Sequence, residues 1–135
     1  MNQPVLTMHK PRRILVFGNP LFKDDSIAIQ TARFLQKKLP EFHFVPFDTS
    51  EDLEKEGKDL LILDTVIGIR SPRLVSLDEL SLKKPYSLHD FDLAWTLLLL
   101  KKLKKLEKAT IIGLPARPPT KKTYQQIIKL LRSLS

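Results

Sequence analysis

Three places in the chain carry side chains that could do chemistry together: the acidic pair Asp24–Asp25, the acid Asp64, and His89. Two carboxylates and one imidazole make a facial metal site, hard to borderline in character, with positions left open for water or a substrate group. The sequence contains no cysteine. That excludes disulfides, thiolate metal sites, iron–sulfur ligation and cysteine nucleophiles together. A metal could be held only by imidazole and carboxylate, a donor set that suits zinc, nickel or manganese.

Each of these residues also has a purely structural reading. Asp64 closes the apolar run Leu60–Leu63, so its carboxylate is expected to be partly desolvated and in need of a cation, a hydrogen bond or a proton. It could instead cap the following loop, but an acid at the carboxyl end of a central strand favours the functional reading. Asp24 and Asp25 precede a helix, where backbone N–H groups and the helix dipole stabilise negative charge. One acid suffices as a cap, which leaves the other free. His89 lies in a loop, where a lone histidine is usually solvated, as His9 and His43 are expected to be. Its convergence with the two carboxylates sets it apart; Ser87 or Asp90 could orient its ring, or either could cap the next helix.

The elements that must position these groups follow from hydrophobic spacing. Residues 13–17 form a short apolar strand that stops at the turn Gly18-Asn19-Pro20, with Asn19 available as a hydrogen-bond donor. A helix is predicted over 26–39, ended by Pro40, and a strand over 43–47. The clearest buried strand spans 59–64. A short strand over 73–77, a helix over 90–108, a strand over 109–114 and a terminal helix over 121–134 complete the chain. Strands alternating with helices predict an α/β domain, with a mainly parallel twisted sheet of about five strands flanked by helices on both faces. In such sheets ligands sit beyond the carboxyl ends of the strands. Asp25, Asp64 and His89 are all expected at that edge.

Composition narrows the class further. At 135 residues the chain is long enough for one domain, with residues 1–11 expected as a flexible arm. No apolar run approaches the ~20 residues of a membrane span, and no apolar segment suggests a signal peptide. The expectation is therefore a cytoplasmic protein with no membrane partner. The net charge of +8 is uneven: residues 101–135 hold ten basic side chains and a single acid, Glu107. The run Lys101–Lys108 reads as the solvated face of an amphipathic helix. No aromatics interleave with its lysines as a stacking platform, so nucleic acid is not an expected partner. Gly18-Asn19-Pro20 lacks the glycines and Lys-Ser/Thr of a phosphate loop, and no G-x-S-x-G elbow is present.

The segment Ile14–Ala28, reading I-L-V-F-G-N-P-L-F-K-D-D-S-I-A, resembles the opening of the hydrogenase maturation proteases. Leu60–Gly68, L-L-I-L-D-T-V-I-G, is similar to that family's second acidic motif. Ser87-Leu88-His89 resembles its histidine motif, and Ile111–Leu114 its last strand. Order and spacing match from about residue 13 to 115. The departures are Ser26 and Ala28, where the family usually has glycines, and a glycine-rich stretch reduced to Gly68. The resemblance implies an endopeptidase that removes a C-terminal peptide from the precursor of a nickel–iron hydrogenase large subunit. It implies that Asp25, Asp64 and His89 contact nickel. That nickel is carried by the precursor and is not held tightly by the free enzyme.

Two other classes share parts of the pattern. Phosphoacceptor receiver domains also place an acidic pair after the first strand and an Asp at the end of the third, which would make Asp64 the phosphorylation site. Here the pair lies seven residues beyond Phe17, and Lys84-Pro85 comes too early in the chain to match that family's lysine. A nucleic-acid-binding module would use the basic C-terminal third, but would leave Asp25, Asp64 and His89 without a role.

Overall fold

The computed structural model describes residues 10–18, 26–48, 52–80, 87–88 and 91–134. The expected arm at 1–11 lies outside the described residues except for Lys10 and Pro11. Among the described residues, six strands and three α-helices follow in chain order: β1 (Arg12–Val16), α1 (Ser26–Lys38), β2 (Phe42–Pro46), β3 (Asp59–Ile67), β4 (Arg73–Ser76), β5 (Ser87–Leu88), α2 (Phe91–Lys102), β6 (Lys108–Leu114) and α3 (Lys121–Ser133). Short 3-10 helices at Leu53–Glu56 and Leu77–Leu80 precede β3 and follow β4. The sheet order is β2-β1-β3-β6-β4, with β5 paired to β3 outside that path. β2, β1, β3 and β6 run parallel; β4 is antiparallel to β6. This is the expected α/β domain with a mainly parallel sheet.

The alternation of strand side chains sorts the core into two clusters. Ile14, Val16, Phe44, Leu61, Leu63 and Ile112 pack with Ile27, Ala28 and Leu35 of α1 and with Ile127 and Leu131 of α3. Leu15, Phe17, Leu60, Ile62, Val66 and Ile111 pack instead with Leu93, Leu97 and Leu100 of α2. The register joins like with like: Leu15 lies opposite Ile62, and Ile62 opposite Ile111. A slip of one residue would exchange the two sets. The outer edge of β2 is closed by Gln36, whose amide donates to the Phe42 carbonyl and accepts from the Phe44 N–H, both at 2.8 Å. This takes up backbone groups that would otherwise template another strand.

Two boundaries differ from the sequence expectation by more than one residue. β3 continues past Asp64 to Ile67 because Thr65, Val66 and Ile67 are β-branched, and because β6 and β5 both offer partners there. α2 ends at Lys102 and does not reach 108. The Lys104 N–H donates to the Lys101 carbonyl and the Lys105 N–H to the Leu100 carbonyl, each at 3.0 Å. Lys104 itself adopts φ 61°. This is a Schellman ending, and it turns Leu106 into the core while leaving Leu103 exposed. The two leucines therefore do not share a helix face. β5 falls where a loop was expected, since two residues are too short to show a strand period.

At the C-terminus, Thr120 accepts from the Thr123 N–H while Thr123 accepts from the Thr120 N–H, forming a capping box that starts α3. Tyr124 stacks on Phe34 with ring centroids 4.0 Å apart, tying α3 to α1.

A lysine in the left-handed region costs more than glycine would. Lys104→Gly is expected to stabilise the fold by ~0.5–1 kcal/mol, measured as a raised midpoint in urea denaturation with unchanged slope.

Candidate functional site

Within the sheet, β1 leads to β2 on one flank, and the chain then crosses to β3 on the other. The order of strands reverses between β1 and β3. In an open α/β sheet the crevice for a ligand forms at such a point, beyond the carboxyl ends of the strands. The helices return to the same edge. α1 joins parallel β1 and β2, so it runs back against them and begins at their carboxyl ends. α2, about 18 Å long by its twelve residues, ends at the opposite edge, where the Glu107 and Lys108 N–H groups donate to the Lys58 carbonyl. Its N-terminus therefore also lies at the carboxyl edge.

Asp64 sits at this edge in the central strand and is only 2% exposed. Its even-numbered strand neighbours Ile62 and Val66 belong to the α2 cluster, so its side chain points to that side. Beside it on β1 comes Phe17, whose N–H donates to the Leu63 carbonyl at 3.0 Å. Beside it on β6 comes Gly113. A Cβ on Gly113 would stand 2.8 Å from Val66 Cγ2 and 3.2 Å from Ile69 Cδ1. Glycine is thus required there because side chains from β3 and the turn after it already cover the position. On the other flank of Gly113 lies Arg73 of β4, paired with Glu79 at 2.7 Å.

Thr65 follows Asp64 and faces the opposite side of the sheet. It is 1% exposed, and among the described residues its hydroxyl has no hydrogen-bond partner. Leaving a buried hydroxyl in that state costs ~1–3 kcal/mol. Beyond the strands, the Arg117 guanidinium donates to the Arg70 carbonyl, joining the segment after β6 to the one after β3. Arg70 and Arg117 are exposed and Arg73 half-buried, so cationic groups rim the edge that holds the buried acid.

Of the residues expected to do chemistry, Asp64 is at the strand edge as expected, although β3 continues three residues past it. Asn19, Pro20, Asp24, Asp25, His89 and Asp90 lie outside the described residues, as do Lys84-Pro85 and His9. Their covalent neighbours are described: Ser26 opens α1 and is buried, and Leu88 pairs with Val66, two residues beyond Asp64. His43 is exposed on an edge strand, as a solvated histidine should be. Among the described residues no group of three or more His, Cys, Asp or Glu side chains could hold a metal. Thr65, Arg73 and Arg117 were not legible as site neighbours. Nothing in their local sequence marks them, since their placement depends on strand register and on the turn after β6.

The chain matches no protein-family profile, no curated protein and no solved structure. The chemistry must therefore be argued from its own residues. Gly113→Ala is expected to cost ~1–3 kcal/mol, because stiff Val66 has no way to yield without disturbing β3; thermal denaturation measures it. Thr65→Val keeps the shape and removes the unsatisfied hydroxyl, so it is expected to leave stability unchanged or raise it by up to ~1 kcal/mol. A loss of stability in that variant would mean that the hydroxyl is satisfied in solution.

Proposed function

We propose that this chain is an endopeptidase of the hydrogenase-maturation type. It would remove a C-terminal peptide from the nickel-loaded precursor of a nickel–iron hydrogenase large subunit. The observation that carries the reading is the position of Asp64, a buried carboxylate in the central strand beside the β1/β3 reversal. That position agrees with the order of the three motifs that resemble the family. In this reading Asp64 acts with Asp25, one residue before α1, and with His89, one residue after β5. The two carboxylates and the imidazole recognise the nickel of the precursor as part of the substrate. Hydrolysis adds the oxygen of water to the scissile carbonyl carbon, breaks the C–N bond and leaves the proton on the departing amine.

The sheet also bears on the competing signalling reading. Receiver domains use the flavodoxin-like order 2-1-3-4-5, whereas here the strand after β3 in sequence is an antiparallel edge strand, with β6 inserted between them. This supports the protease reading over phosphorylation of Asp64. Among the described residues no helix is long and apolar enough to cross a membrane.

The test is incubation of the full chain with a nickel-loaded large-subunit precursor, followed by mass measurement of the precursor. The expected outcome is loss of its C-terminal tail, with Asp64→Asn slowing cleavage at least ~100-fold. Failure of the intact protein to cleave any such precursor from its own cell would contradict the proposal.

A further inference from the structure

A helix that covers a sheet normally turns polar side chains to solvent, but the middle of α2 turns apolar ones outward. Leu93, Leu97 and Leu100 face the core, while Trp95, Leu98 and Leu99 are 65%, 38% and 43% exposed. Leu103, just past the helix, is 54% exposed. Four of the six large hydrophobics exposed among the described residues thus fall on this one helix and its end. Trp95, Leu98, Leu99 and Lys102 stand at i, i+3, i+4 and i+7, so the apolar stripe runs straight into a cation. Contiguous exposed apolar surface of this kind marks an interaction site, unlike single scattered leucines.

The charges say what kind of partner covers it. Lys101 is paired with Asp78 at 2.7 Å and Lys105 with Glu54 at 3.3 Å. Lys102 and Lys104 have no ion pair among the described residues, and both are exposed. We propose that the outward face of α2 docks an acidic amphipathic helix of a second protein. Leucine-type side chains of that helix cover Trp95, Leu98 and Leu99, and its carboxylates meet Lys102 and Lys104. A second copy of this chain fits less well, because each copy carries a net charge of +8 and would bring like charges together. A lipid surface also fits less well, because only three apolar side chains of the helix, Trp95, Leu98 and Leu99, would insert, and interfacial binding scales with the apolar area buried. The proposal is independent of the reading of Asp64.

Trp95 is the sole tryptophan of the chain, so its emission reports directly on this face. The probe is a synthetic helical peptide of about 18 residues, long enough to span α2. It carries Leu at i, i+3, i+4 and i+7 and Glu on the remaining face. Titration into the full chain at physiological ionic strength is expected to give a saturable blue shift of Trp95 emission. Leu99→Glu should weaken binding at least about tenfold, and Lys102→Glu should weaken it in the same direction. Both substitutions are at exposed positions, and an unchanged far-ultraviolet circular dichroism spectrum checks the fold. The same peptide with Lys in place of Glu should give no shift. The proposal is overturned by no shift with the acidic peptide, or by an equal shift with the basic one. It is equally overturned if the shift comes from raising the protein concentration alone, or only from anionic lipid vesicles.

Discussion

Strand β3 is buried on both sides of the sheet from Leu60 to Val66, and the register of the neighbouring strands is set against it. Leu61 and Leu63 hold the side built with α1 and α3, whereas Leu60, Ile62 and Val66 hold the side built with α2. Into this run the sequence inserts a carboxylate at Asp64 and a hydroxyl at Thr65, one on each side. Polar groups in such a place oppose folding unless something compensates them. A core optimised only for stability would carry apolar residues at both positions. Register and burial place both of these polar groups inside the sheet, close to the β1/β3 reversal.

The two edges of the sheet differ in character. The carboxyl edge gathers Asp64, the beginnings of α1 and α2, and the arginines at 70, 73 and 117. The amino edge gathers the end of α2, with its lysines and their partners Glu54 and Asp78, and the ion pairs Arg12–Asp59 and Arg13–Glu56. These exposed pairs are worth little individually, and two of them engage Lys101 and Lys105 of the lysine-rich run. The apolar outward face of α2 joins the two edges, so a partner docked along it would lie beside the end that holds Asp64.

The sequence made most of this legible where periodicity was strong. Ile27, Thr31, Leu35 and their neighbours marked α1, and the run at 60–63 marked the central strand. What it could not show depended on distant partners. β5 is two residues long and exists because β3 extends beyond Asp64 to meet it. The end of α2 at Lys102 is written in a lysine with positive φ, a residue type that carries no stop signal. Arg73 and Arg117 reach the edge through strand pairing and a backbone contact, neither of which has a local signature. The candidate site divides in the same way: Asp64 was legible from the strand it interrupts, whereas Thr65 became notable only once its burial was known.

The proposed function requires Asp64, Asp25 and His89 to converge on one metal ion at the β1/β3 reversal. A crystal structure of the protein soaked with Cd²⁺, standing in for nickel, tests this most directly. The expected outcome is one cation within ~2.0–2.6 Å of an oxygen of each carboxylate and a ring nitrogen of the histidine. A cation bound elsewhere, or the three side chains turned away from one another with none bound, would contradict it.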